Sequence, residues 1–542
     1  MENIFIDTTP PVPAIPMLRD KTKINVRYTL ISPYTTVHIY WDNAISELRY
    51  EIEEPILNEE EVQTLNKIEN GMREIINVNV VVEKTQQAVL EYLDKTARLL
   101  IEELGLRVNE SMYKKLFYYM YRDFVGFNEI DPLINDYFIE DIECNGVNSP
   151  IYIVHRIYRN IKTNIVFKDI EALASFVEKL AQRTGRYISY AQPILDGSLP
   201  DGSRVNATYT KDISSKGPTF TIRKFTSLPW TPIQLISFNT LSPEMLAYFW
   251  ILVQYKSNIL ISGSTSSGKT TLLNAISFFI PPEARVVSIE DTRELNLPRE
   301  NWLPSVARGS IGISGVGEVD LFKLLKNSFR QNPDYVIVGE VRGQEAFVLF
   351  QGMASGHPSM STIHADSVDT VIKRLETPPI ELSPTLINTL DCVAIMTHAI
   401  VNKKETRRLS AVVEVINVDP NGIAMTNTPF AWNPSDDKFY FKKDSRVFQK
   451  IKRRYGLSNQ EMQIEFNVRT KLLYEMFKRR IFGFNQIQKI VSEYYKNPQE
   501  VLKAFNISYQ PLEKQKEFKQ NLLKNQNILG QLPSFKKQIG KK

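Results

Sequence analysis

Apolar and polar residues alternate singly along Ile24-Asn25-Val26-Arg27-Tyr28-Thr29-Leu30 and again along Thr36-Val37-His38-Ile39-Tyr40. A period of two sends successive side chains to opposite faces of an extended chain, so both stretches predict short strands with one buried face. From about residue 58 to 127 the apolar spacing changes to three and four, most clearly over 87–93 and 114–124, which predicts helices. Strand-like runs return at 142–144, 151–154 and 163–167. A helical pattern follows over about 170–184, then two more strands at 205–209 and 219–225. The Pro-containing stretch Thr226-Ser227-Leu228-Pro229-Trp230-Thr231-Pro232 breaks the periodicity and marks a domain boundary. Beyond it strand and helix patterns alternate, as in a largely parallel sheet covered by helices. After about residue 428 the pattern is irregular, then helical from 459 to about 505. The last thirty or so residues are rich in Lys, Gln and Asn and predict partial disorder.

The 542 residues are enough for three or four domains. The reading divides them into an N-terminal strand and helix region (1–128), a mixed α+β domain (129–225), a linker (226–232), an α/β domain (233–428) and a helical C-terminal region with a basic tail (429–542). Apolar content of 43% and charged content of 23% are ordinary for a globular protein. The net charge of +5 is small and does not by itself point to nucleic acid. Two cysteines, Cys144 and Cys392, suit a reducing compartment and exclude a four-cysteine zinc site. The longest apolar run, 245–253, is too short to span a bilayer, and the first nineteen residues lack a signal-peptide pattern. A cytoplasmic protein is expected.

The densest chemistry lies at Gly263-Ser264-Thr265-Ser266-Ser267-Gly268-Lys269-Thr270, between an apolar run (258–262) and a helix-like run opening at Thr271. This is the G-x-x-x-x-G-K-[ST] phosphate loop in its strand–loop–helix setting. Backbone N–H groups and the helix N-terminus cradle phosphates, Lys269 reaches the β- and γ-phosphates, and Thr270 holds Mg²⁺. Downstream, an apolar run ends in Glu290-Asp291. Glu290 is a candidate to orient metal-bound water, or else the two acids simply solvate a strand end. A second apolar run, Tyr335-Val336-Ile337-Val338-Gly339-Glu340, has the form of a Walker B strand. Glu340 there would polarise the attacking water, or else the run is an ordinary core strand capped by a solvated acid. Position 339, commonly an aspartate in such strands, is glycine. His357 and His364 flank a short strand at an odd separation, which argues against a shared metal and leaves His364 as a γ-phosphate sensor, an intersubunit contact or a structural residue. Arg204 and Arg223, on neighbouring predicted strands before the linker, are candidate arginine fingers, or else solvated hairpin arginines.

These motifs occur in one order at close spacing, and together they resemble the type II/IV secretion ATPase superfamily, which powers type II secretion, type IV pilus assembly and the archaeal motility filament. The strings Leu-Pro-Asp-Gly-Ser-Arg-Val-Asn (199–206) and Phe-Thr-Ile-Arg-Lys-Phe (220–225) look most like its archaeal branches. The resemblance spans about residues 131–377. It implies a RecA-like P-loop ATPase domain, ATP and Mg²⁺ as ligands, and a homohexamer on the cytoplasmic face of a polytopic membrane platform protein. It assigns Glu340 as the catalytic glutamate, Glu290 as the acid of the Asp box and His364 as the histidine of the His box, with Arg204 and Arg223 reaching the nucleotide. The basic clusters at 452–454, 478–480 and 511–542 suggest contact with anionic lipid or with acidic protein loops. Two other classes stay open: a nucleic-acid translocase, and a scaffold that binds ATP but scarcely hydrolyses it.

Overall fold

The computed structural model describes residues 6–8, 12–13, 15–16, 20–75, 86–225, 228–308, 317–401, 404–442 and 444–508. Thr226 and Ser227 of the linker and the basic tail from Pro511 lie outside the described residues. The chain forms two compact units, Met1–Phe225 and Thr226–Lys542.

Among its described residues the N-terminal unit has nine strands: β1 (Asn25–Ile31), β2 (Thr35–Asp42), β3 (Glu47–Glu53), β4 (Ile139–Cys144), β5 (Pro150–His155), β6 (Arg159–Val166), β7 (Ile194–Ser198), β8 (Arg204–Thr208) and β9 (Thr219–Arg223). They form one sheet in the order β1-β2-β3-β6-β5-β4-β9-β8-β7. The alternating pattern does what it predicts: Val37 and Ile39 on β2 are buried, while His38 and Tyr40 between them are not. Helices Glu59–Ile75, Gln86–Glu103 and Glu110–Met120 lie between β3 and β4 in sequence. The sequence reading separates 1–128 from 129–225, yet β3 pairs in parallel with β6 through Arg49↔Lys162 and Tyr50↔Thr163. Asp136 also accepts hydrogen bonds from the Tyr28 and Tyr50 hydroxyls at 2.7 and 2.6 Å. Strands of both stretches therefore share one sheet and one buried core.

The described residues of the second unit also form nine strands: β10 (Ile259–Gly263), β11 (Val286–Glu290), β12 (Trp302–Val306), β13 (Tyr335–Val338), β14 (Ser359–Ile363), β15 (Cys392–Val401), β16 (Lys404–Val418), β17 (Ala424–Asn433) and β18 (Lys438–Phe441). Their order is β12-β11-β13-β14-β10-β15-β16-β17-β18. Pairing is parallel from β12 to β15 and antiparallel from β15 to β18. One strand, β14, separates β10 from β13, the RecA-like arrangement. The central strands are buried on both faces, which is why they read as continuous apolar runs. Helix Pro243–Gln254 is buried all round over Met245–Val253, with Trp250 stacked on Phe279 at 4.8 Å. Helix Asn459–Lys478 lies against it, and its buried Arg469 bonds Gln254 and pairs with Glu465 at 3.0 Å.

The stretch after residue 428, read as irregular, instead completes β17 and forms β18. Helix Arg446–Tyr455 follows. The sequence does not predict the edge strand β12 either: five half-buried residues, Pro304 among them, leave no period to read. The linker's Pro232 is already the first residue of a helix, Pro232–Ser237, capped by Thr231 and Gln234.

Candidate functional site

The phosphate loop joins β10 to helix Lys269–Ser277. Its first glycine is required by close approach. A Cβ at Gly263 would stand 2.5 Å from the Met396 carbonyl oxygen and 2.5 Å from Ser267 Oγ. Gly268 has φ +97°, a left-handed conformation natural to glycine. It is the N-cap of the helix and offers no side-chain cap, so the first N–H groups of the helix are not capped from within. That is the electropositive end that an anion seeks. Ser267 Oγ donates to Ser264 O at 2.8 Å and closes the loop on itself. Ser264, Thr265 and Ser266 are exposed, while Thr270 and Thr271 are half-buried.

Lys269 is buried, and its ammonium donates to the carbonyls of Gly263 and Ser264 at 3.1 and 2.9 Å. Burial lowers its pKa, and the charge of Glu340 acts in the opposite sense. The same ammonium lies 3.4 Å from His364 Nδ1. His364 follows β14, and its Nε2 stands 3.3 Å from Glu340 Oε1. On the other side, Arg342 Nη2 donates to Glu340 Oε2 at 2.7 Å. Burial first, then the charge of Lys269, holds His364 below its ordinary pKa. Glu340 Oε1 is buried without a hydrogen-bond partner, so His364 meets it by proximity rather than through a hydrogen bond. Lys269, His364, Glu340 and Arg342 thus form a polar cluster beside the loop. Glu345 supports it from beneath, accepting from the backbone N–H groups of Arg342 and Gly343 at 2.5 and 2.8 Å. Glu345 is the first residue of helix Glu345–Ala354, and no sequence pattern marks it for this role.

Glu290 ends β11 and is fully buried. Its Oε1 accepts from the N–H groups of Glu294 and Leu295 at 2.9 and 2.8 Å, while its buried Oε2 has no hydrogen-bond partner. Burial pushes its pKa up to about 7, against the two backbone hydrogen bonds that lower it. Its side chain also accounts for the glycine at 339: a Cβ there would meet Glu290 Cγ at 3.1 Å. The stem of the Glu290 side chain therefore crowds the place that the customary aspartate would take. An unpartnered Oε2 on Glu290 and a half-buried hydroxyl on Thr270 are oxygen donors of the kind Mg²⁺ takes. This cation uses few protein ligands when phosphates complete its shell, so the donor set fits it.

His357 belongs elsewhere. It stacks on Phe329 at 5.0 Å between centroids, at the opposite end of β14 from His364. Arg204 and Arg223 sit in the N-terminal unit as register partners on β8 and β9. Arg204 pairs with Asp196 at 2.9 Å and Arg223 with Asp141 at 3.2 Å. Both pairs are largely exposed, and neither aspartate was singled out from the sequence.

Residues 125–429 match the family model described as "Type II/IV secretion system protein". An uncharacterized protein of Methanocaldococcus jannaschii is 37% identical over 462 residues, 84% of this chain and 81% of that one. The conjugal transfer protein TrbB of Rhizobium radiobacter is 32% identical over 232 residues, 42% of this chain and 68% of its own. Among solved structures, the ATPase DotB of Legionella pneumophila aligns over 66% of this chain and 92% of its own, at 15% identity and a TM-score of 0.38. The family match over more than half the chain establishes that the chain belongs to the type II/IV secretion system protein family, with a phosphate-loop motif on the RecA-like sheet of its second unit.

Proposed function

We propose that this chain hydrolyses ATP to ADP and phosphate with Mg²⁺, and that as a homohexamer at the inner face of the cell membrane it drives assembly of a type IV pilus-like filament, or protein secretion, through a polytopic platform protein. The observation that carries the catalytic part is the close grouping of Lys269, His364 and Glu340 beside the phosphate loop. With a triphosphate in the loop, Lys269 exchanges two backbone carbonyls for phosphate oxygens. His364 then lies between the site of the γ-phosphate and the carboxylate that orients water. Thr270 and Glu290 would hold Mg²⁺, which when bound would supply charge neutralisation for the transferred group. Arg204 and Arg223 are proposed to add positive charge to the same group, on the strength of the family resemblance.

The decisive variant is Glu340→Gln. It keeps a hydrogen-bonding side chain but not the carboxylate, and turnover with Mg-ATP should fall about 10²-fold or more while nucleotide affinity stays within a few-fold. Equal turnover in both proteins would overturn the assignment of Glu340.

Membrane contact is supported by the charge distribution. Residues 446–542 hold 21 Lys and Arg against 7 Asp and Glu, whereas the whole chain is only +5. Among the described residues no helix is long and apolar enough to cross a membrane. The alternative reading, a nucleic-acid translocase, draws on the same basic region and on relatives named for conjugal transfer. Stimulation of turnover by anionic vesicles but not by DNA supports the first reading, and the reverse supports the second.

A further inference from the structure

The β15–β16 hairpin does more than extend the sheet. Strand β15 runs beside the phosphate-loop strand, with Gly263 opposite Met396. A bulge at this point matches Ile395 to Ala411 but Met396 to Leu409, leaving Ser410 as the extra residue. Bulges re-aim the side chains that follow. Past it the hairpin continues beyond the end of β10 and flanks the loop. The Met396 carbonyl touches Gly263, and Met396 Cε and Arg407 Cδ lie 3.3 and 3.5 Å from where a Gly268 side chain would begin. From β16, Arg407 Nε donates to the carbonyl of Ser266 at 2.8 Å. Its neighbour Arg408 points the other way, buried and paired with Asp437 at 2.8 Å.

Ser266 is the loop residue whose backbone most needs help. Its φ of +58° is left-handed, and a serine adopts it only at a cost. The peptide between Ser266 and Ser267 is trans, so its carbonyl and N–H point in opposite directions. Arg407 holds the carbonyl on the hairpin side. The Ser267 N–H is thereby directed into the loop, where it meets Ser264 O at 3.3 Å. That N–H is one of the donors on which a phosphate would settle.

We propose that Arg407 is a positioning residue of the phosphate loop: by holding the Ser266 carbonyl it fixes the orientation of the Ser267 N–H and so sets the affinity for nucleotide phosphates. The inference rests on the reading of the loop as a nucleotide site. It separates two ways in which an arginine can serve such a loop, through a hydrogen bond to its backbone or through charge on the nucleotide. Glutamine retains a donor without charge, and lysine retains the charge.

Binding of a fluorescent ADP analogue to the full chain is measured for the native protein and for Arg407→Ala, Arg407→Gln and Arg407→Lys, with thermal unfolding of each in the absence of nucleotide. Arg407→Ala should bind about tenfold more weakly at an unchanged melting temperature, with turnover at saturating Mg-ATP within about twofold, and Arg407→Gln should recover most of the affinity. Native-like affinity in both the Ala and Gln variants overturns the proposal. Weak binding in both, with recovery only in Arg407→Lys, also overturns it, because charge rather than the backbone contact would then be what matters. Should the Ala variant melt early, the Gln and Lys variants decide. Failure of the native chain to bind the analogue would instead overturn the nucleotide reading itself.

Discussion

Glu290 shows how one side chain can answer for two positions. The stem of its side chain crowds the position of a Cβ at Gly339, and a single oxygen of its buried carboxyl caps the turn over Glu294 and Leu295. Burial pushes its pKa up to about 7 from the ordinary 4.5. Between those values the unfolded chain loses the proton first, so this group's contribution to stability falls as pH rises from about 4.5 to about 7 and is level above that. At 1.36 kcal/mol per unit the loss is at most about 3 kcal/mol. Glu290→Gln keeps the acceptor for both N–H groups but does not titrate. Its stability relative to the native protein should therefore rise between pH 5 and pH 8, by up to about 3 kcal/mol in denaturant unfolding. A constant difference across that range would show that Glu290 keeps one protonation state. The sequence pointed to Glu290 through the acid-ended strand. It could not show that the missing aspartate at 339 and the acid at 290 are one steric fact, because the two positions are forty-nine residues apart.

At the scale of elements, Glu414 ties its own strand to three further segments. From the middle of β16 it accepts from the Tyr248 hydroxyl of the buried helix at 2.8 Å and from Asn427 of β17 at 2.7 Å. It also accepts from the Arg446 N–H at the start of helix Arg446–Tyr455 at 2.7 Å, and from Ser445. A carboxyl group accepts from several donors at once, and its removal leaves the buried Tyr248 hydroxyl and the Val447 N–H without that acceptor. Glu414→Ala should cost about 3–5 kcal/mol, seen as a lower denaturant midpoint, and Glu414→Gln should cost less. Equal losses in the two variants would mean that packing, not the acceptor, matters here. The polar residue was visible within the apolar run Ala411-Val412-Val413-Glu414-Val415, but its partners were not. The strands β10, β11 and β13 were legible for the opposite reason. Buried on both faces, they read as unbroken apolar runs whose ends alone carry chemistry.

At the scale of the whole molecule, two units with separate sheets and separate cores divide the proposed labour. The phosphate loop, Glu290, Glu340 and His364 belong to the second, Arg204 and Arg223 to the first. If the arginines serve the transferred phosphoryl group, replacing both with alanine should leave binding of an ADP analogue within a few-fold and lower turnover of the full chain by about 10³-fold. Loss of binding alongside turnover would assign them to nucleotide capture, and no change in either would confine them to their ion pairs with Asp196 and Asp141.

The sequence by itself determined the phosphate loop, because glycines at both ends, a lysine and a threonine at fixed offsets encode a local backbone shape together with its chemistry. It also determined the alternation of strand and helix around the loop, since burial on two faces is written as apolar runs. Tertiary structure alone decided which side chains meet. Lys269, His364 and Glu340 come together because β14 lies between β10 and β13. Glu290 covers Gly339 because β11 lies beside β13. Arg407 reaches Ser266 from 141 residues away because β15 pairs with β10 and turns back beside the loop. Each of these follows from strand order, a long-range pairing set by the packing of whole faces rather than by any local run of residues.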